Sequence, residues 1–145
     1  MTLHLVKLAV GCESIEDLAS WQAERLAGQR KAGVAERLFH RTFQTPKRSE
    51  DLLDGGSLYW VIKGVIQCRQ RVTALDEGTK DDGSPCCLII LDPRLVLVRP
   101  TPRRAFQGWR YMDAADAPPD LGRSASALKG MPPEMRRALA ELGLL

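Results

Sequence analysis

Gly55–Arg71, GGSLYWVIKGVIQCRQR, decides how this chain is read. From Leu58 onward its residues alternate with the period of a β-strand. Leu58, Trp60, Ile62, Ile66, Cys68 and Val72 share one phase; Tyr59, Lys63, Gln67, Arg69 and Arg71 occupy the other, together with Val61 and Val65. One unbroken strand over this stretch would be about 50 Å long at ~3.3 Å per residue, too long for a small domain. The reading therefore places a bend or bulge at Gly64. The stretch has an echo in Arg103–Tyr111, RRAFQGWRY. Both segments mix aromatic rings with Lys and Arg, and neither carries an acid. Such surfaces stack bases and neutralise phosphates.

On the N-terminal side, LHLVKLAV (3–10) is β-compatible and ends at Gly11. Ser14 and Asp17 have the spacing of a capping box. They predict a helix to about Gly28 with Ile15, Leu18, Ala19, Gln22, Ala23 and Leu26 on one face and Trp21 on its flank. GQRKAGVAE is a polar connection, and LFHRTF reads as a short strand. Thr45–Pro46 is expected to open a short helix through Leu53, closed by Gly55–Gly56.

On the C-terminal side, DEGTKDDGSP is a turn signal with Asp82–Gly83 at its tip. CCLIIL and LVLV follow as strands split at Asp92–Pro93, apolar enough to predict burial on both sides, as in a small barrel. RPTPRR reads as a stiff basic connection and AFQGWRYM as a further strand. The chain is therefore expected to be α+β: a small, mostly antiparallel β-barrel with an N-terminal helix, a short helix before the central strand and a C-terminal helix. Residues 1–112 form the single barrel-like domain. Residues 113–130, rich in Ala, Asp, Pro, Ser and Gly, read as a loop or linker. Residues 131–145 read as a helix packed on the domain, with Met135, Ala138, Leu139 and Leu142 at i, i+3, i+4, i+7 spacing.

A chain of 145 residues has the length of one domain and buries roughly 70% of its unfolded surface. Its net charge of +3 comes from 21 basic and 18 acidic residues, so the whole is no polycation. Distribution says more. Five arginines (Arg94, Arg99, Arg103, Arg104, Arg110) and no acid lie between Pro93 and Met112. The acids gather at Glu13–Asp17, Glu50–Asp54, Asp76–Asp82 and Asp113–Asp120. The N-terminus lacks the features of a secretory signal, and no apolar stretch approaches the ~20 residues of a membrane span. Cys12, Cys68, Cys86 and Cys87 form no disulfide framework, and a cytoplasmic location is expected.

Motifs of known chemistry are missing. His4 and His40 lie in expected strands away from any cysteine pair at zinc-ligand spacing, so no metal is expected. The chain has no GxSxG elbow, no phosphate loop and no GxGxxG fingerprint, and no cofactor is expected. Cys86–Cys87 read as packed thiols, and Trp60 and Phe106 as core. The candidate nucleic-acid-binding residues are Tyr59, Lys63, Arg69, Arg71, Arg103, Arg104, Trp109 and Arg110. Lys63, just before the glycine, is expected at a pocket mouth and is the one candidate catalytic group.

The opening LHLVKLAVGCESIEDLASWQ, together with LLDGGSLYWVIKGVIQCRQR, RRAFQGWRY and PPEMRRALAELGLL, resembles the bacterial family catalogued as domain of unknown function 1489 over essentially the full length. That family brings no established activity. The order of elements also resembles the PUA and ASCH group of small β-barrels, whose members typically bind RNA or modified nucleobases in a cleft between barrel and helices. The ASCH signature, Gly-x-Lys-x-x-Glu-x-Arg, has its nearest match at Val61–Arg69. There the leading glycine is missing, the spacing is one residue longer, and Gln67 replaces the acid. The resemblance implies Lys63 and Arg69 as cleft residues.

Two function classes follow. The first is a noncatalytic binder of RNA or of a nucleotide-like ligand, with the arginines on phosphates and Tyr59 or Trp109 stacked on a base. The second is a small hydrolase acting on a modified nucleoside or related amide, with Lys63 moving a proton and Glu77 or Thr73 as its partner. A third alternative is a protein-interaction module using the C-terminal helix. No membrane partner is expected, and no motif specifies an oligomeric state.

Overall fold

The computed structural model describes residues 2–104 and 106–124. In chain order the elements are β1 (Leu3–Leu8), α1 (Ile15–Lys31), β2 (Phe39–Thr42), α2 (Ser49–Leu53), β3 (Ser57–Ile62), β4 (Val65–Thr79), β5 (Pro85–Leu91), β6 (Val96–Pro102), β7 (Trp109–Asp113), a single 3-10 turn at Ala114–Asp116, and β8 (Asp120–Ser124). The expected helix over 131–145 lies outside the described residues.

The central stretch is a hairpin, not a bent strand. Lys63 and Gly64 both take positive φ, 52° and 74°, and Ile62 faces Val65 across the two-residue turn. Two successive left-handed residues give the turn whose twist matches the flanking strands. The irregularity expected at Gly64 lies three residues later. Trp60 pairs with Cys68 and Val61 with Ile66, so Gln67 is the extra residue of a bulge. Its amide donates to the Ile62 carbonyl at 3.0 Å. The bulge reverses the facing of Ile66. Trp60, Ile62, Cys68 and Val72 pack in one core cluster, while Ile66 joins Val6, Tyr59, Val61, Val98 and Met112 on the other face.

The sheet is mixed and open. Its strands run β2-β5-β4-β3-β1-β7, with β6 paired to β4 and β8 paired to β6. β1 and β3 are parallel; the other pairs are antiparallel. β2 and β7 end the main path, so the expected closed barrel is not formed. Burial on both faces of β5 arises without closure. Cys87, Ile89 and Leu91 enter the main core. Cys86 and Leu88 lie over Gly78, where a Cβ would come within 2.9 Å of Leu88 and 3.2 Å of the Cys86 sulfur.

β5 and β6 run back in turn along β4, with the break at Asp92–Leu95. β4 extends to Thr79, so the polar loop shrinks to a turn closed by Lys80 N–H to Ser84 O, with Gly83 at φ 85°. The RPTP part of the expected basic connection belongs to β6. Residues 120–124, within the expected linker, add β8 to the sheet. Their composition is that of a loop; pairing with the β6 edge overrides it.

α1 follows its capping signals. The Ser14 hydroxyl accepts from Asp17 N–H at 3.1 Å, and the Asp17 carboxylate accepts from Glu13 N–H at 2.9 Å. The helix passes through Gly28 and stops at Gly33, whose φ of 73° permits bonds from Gly33 N–H to Arg30 O and Val34 N–H to Gln29 O. Leu18 and Gln22 are buried, and Ile15, Ala19 and Leu26 pack against the core. α2 starts at Ser49, later than Thr45–Pro46 had suggested. Gly56 N–H donates to Leu52 O and turns the chain into β3.

Candidate functional site

β6 brings the chain back beside the Lys63–Gly64 turn. Val65 pairs with Pro102, and Arg103 N–H donates to Gly64 O at 2.8 Å. The arginine-rich loop 103–108 therefore starts next to Lys63. It ends at Gly108, φ 72°, which feeds β7. β7 pairs with β1 at the end of the sheet, and no other strand among the described residues pairs with its free side.

This geometry gathers Arg103, Arg104, Phe106, Arg110 and Tyr111 around a groove of about 620 Å³. The guanidinium carbons of Arg103 and Arg110 each sit 5.4 Å from the Phe106 ring centre. Among the described residues none of Arg103, Arg104 and Arg110 has a carboxylate within ion-pair distance. Arg110 is oriented by donating to Gln107 O and Trp109 O at 2.9 and 3.0 Å. The Tyr111 hydroxyl accepts from the backbone N–H groups of Lys47 and Arg48 at 2.9 and 3.1 Å. The residue remains 36% exposed. Arg48 lies 6.0 Å from that ring, adding a cation at the margin.

The eight candidate residues thus divide. Arg103, Arg104 and Arg110 come together, with exposed Lys63 at the adjoining turn. Arg71 is exposed on β4, beside Ser57 of β3. Arg69 is committed to Asp120, which it grips through two hydrogen bonds of 2.8 and 2.6 Å, and to the Ser57 hydroxyl at 2.9 Å. The guanidinium holds the Asp120 carboxyl below its usual range, and Asp120 in turn raises Arg69. Tyr59 is only 3% exposed, edge-on to His4 at 5.1 Å. Trp109 is 8% exposed and donates its indole N–H to Gln44 O. In these positions Tyr59 and Trp109 offer no free face to a base. The groove instead presents Tyr111, which is 36% exposed, and Phe106, read as core from the sequence but only partly buried against the second core cluster. Among the described residues Lys63 has no carboxylate within ion-pair distance; Thr73 donates to Ile90 O, and Glu77 lies twelve residues along β4 from Val65.

A second concavity, about 770 Å³, opens between the end of β1, the loop to α1 and the first turns of α1. Lys7, Cys12, Trp21, His40 and Trp60 line it, with Glu13, Asp17 and Glu24. Burial lowers the Lys7 ammonium below its usual range. Burial, reinforced by Lys7 and Arg25, lowers His40 to about 4, so its imidazole is neutral at pH 7. Burial first, then Asp17, raises the Cys12 thiol. The sequence carried one signal for this site: Lys7 breaks the inward phase of Leu3, Leu5 and Ala9. All four cysteines are free, and the described residues contain no cluster suited to a metal ion.

An open mixed α+β sheet with a basic, aromatic groove at one end is the class of protein defined here. The family model described as "Protein of unknown function (DUF1489)" matches residues 5–145, and the chain belongs to that family. No curated protein and no solved structure matches it. No helix among the described residues is long and apolar enough to cross a membrane.

Proposed function

We propose that this protein is a noncatalytic binder of RNA, or of a nucleotide-like ligand, through the groove formed by Arg103, Arg104, Phe106, Arg110 and Tyr111, with Lys63 at its margin. One observation carries the reading: Arg103 and Arg110 flank the Phe106 ring at 5.4 Å, and neither has an acidic partner among the described residues. Unpaired guanidinium groups release counterions when they meet phosphates. A half-exposed ring beside them stacks on a base, contributing ~1–3 kcal/mol. Single-stranded or looped RNA suits this arrangement, since splayed bases present their faces. The resemblance to PUA and ASCH proteins and the cytoplasmic location belong to the same proposal. The hydrolase alternative finds no support around Lys63, where neither Glu77 nor Thr73 converges.

The test is binding of nucleic-acid-free protein to short labelled single-stranded and duplex RNA across a salt series. The expected result is preferential binding to the single strand, weakening with salt by about 0.7 logarithmic units per phosphate contact. Replacing Arg103, Arg104 and Arg110 together by Ala should flatten that slope by about two units. Salt-independent binding, or an unchanged slope in the triple variant, would overturn the proposal.

A further inference from the structure

The pocket between β1 and α1 has features the basic groove lacks. Lys7 sits in the core-facing phase of β1, opposite Trp60 of β3 on one side and Trp109 of β7 on the other. Its ammonium has no carboxylate within ion-pair distance among the described residues. His40 stands edge-on to Trp60 at 5.8 Å, and its ring nitrogens make no hydrogen bond within the described residues. No side-chain polar atom is sealed off without a partner, so both groups reach the open space. The walls are apolar: Leu8, Ala9, Val10, Leu18 and the two indoles Trp21 and Trp60. At the lip, Val10 and Trp21 remain 77% and 47% exposed. A cavity of about 770 Å³ falls in the range of small-molecule sites, which pair apolar walls with a few convergent polar groups.

We infer that this pocket binds a small planar aromatic monocarboxylate, its ring against the exposed Trp21 and the apolar wall and its carboxylate on Lys7 and His40. One ammonium and one neutral imidazole N–H match the two oxygens of a single carboxylate. A phosphate dianion would need more donors. It would also meet Glu13, Asp17 and Glu24 on the same lining, so the pocket selects against the polyanions that the arginine groove attracts. Trp21 and the apolar wall replace water over a flat ring, and the unpaired ammonium gains the partner it lacks.

The test is titration of the full chain with indole-3-carboxylate and nicotinate, each beside its neutral carboxamide, followed by amide and indole N–H shifts. Submillimolar binding of the acids is expected, with shifts at Lys7, His40, Trp21 and Trp60 and the amides at least tenfold weaker. Lys7→Met should remove that preference, leaving acid and amide alike, whereas Lys7→Arg should retain part of it. A merely structural role for Lys7 would weaken both ligands equally. The Arg103, Arg104 and Arg110 triple variant should bind the acids as the parent does, which separates this site from the RNA proposal. Equal binding of acid and amide by the parent, or no shift at millimolar acid, would overturn the inference. So would contacts in the free protein between this lining and residues beyond 124, since the chain itself would then fill the pocket.

Discussion

Gln22 of α1 and Gln70 of β4 exchange two hydrogen bonds, 2.8 and 2.9 Å long, with both side chains buried. Gln70 also accepts from the Trp60 indole N–H at 2.9 Å and donates to Asp92 O at 3.1 Å. One side chain therefore ties the helix, the central hairpin and the β5–β6 break together. Removing it strands groups on three elements, each costing about 1–3 kcal/mol if left unsatisfied. Gln70→Leu is expected to destabilise by about 3 kcal/mol and Gln22→Leu by about 1–2 kcal/mol. The double variant should cost less than the two singles together, because each no longer orphans the other. Urea melts of the four proteins decide it; strict additivity would mean the pair is not coupled.

Gly56 joins α2 to β3 at a point with no room for a side chain. A Cβ there would run into the carbonyl oxygens of Leu3 and Leu52. Both are backbone atoms, one in β1 and one in α2, so relief requires an element to move. Gly56→Ala is expected to cost about 3 kcal/mol, the upper end for overpacking. Gly11→Ala is the comparison: its φ of 82° strains an alanine backbone, but nothing lies within 4 Å of the added carbon. It should cost about 1 kcal/mol. Thermal melts that rank Gly11→Ala as the more damaging would contradict the packing argument.

The division between what the sequence reveals and what it hides has physical causes. Helix α1 is legible because its cap and apolar face are local features, whereas its end is not, since Gly28 lies inside the helix and Gly33 terminates it. The hairpin is hidden because Lys-Gly is a weaker turn signal than Asn-Gly, and the alternation continues across it. Only the register exposes the bulge at Gln67 and the reversed facing of Ile66. Strand β8 is invisible for the opposite reason, since its pairing comes from β6 and not from its own residues. Of the site, the arginines of 103–110 are legible as charge without acid. The alternation leaves Arg69 free in sequence, but a distant aspartate, Asp120, takes it up.

The neutral His40 predicts a pH dependence. Its folded pKa, about 4, lies below the ordinary 6.5, so the unfolded chain binds more protons between those values. This contribution to stability is complete above pH 6.5 and is lost as pH falls toward about 4. The difference corresponds to on the order of 3 kcal/mol. His4, also lowered by burial and by Arg69, adds a slope of the same sign. His40→Gln should therefore flatten, but not abolish, the fall in stability between pH 6.5 and 4. Denaturant midpoints across that range test it, and an unchanged slope would remove His40 as the cause.

Lys63 holds two roles that one substitution separates. Its φ of 52° is a left-handed conformation that costs a lysine roughly 1 kcal/mol and that Asn adopts more readily. Lys63→Asn is accordingly expected to stabilise the fold by about 0.5–1 kcal/mol, giving the turn its preferred Asn-Gly pair. The same change removes the cation beside Arg103, whose backbone is bonded to Gly64. If Lys63 meets a phosphate, the variant should bind single-stranded RNA more weakly, with a salt slope reduced by about 0.7. Thermal melts and a salt series on one variant separate the two effects. A more stable protein with an unchanged slope would confine Lys63 to the turn and leave the arginine groove to act without it.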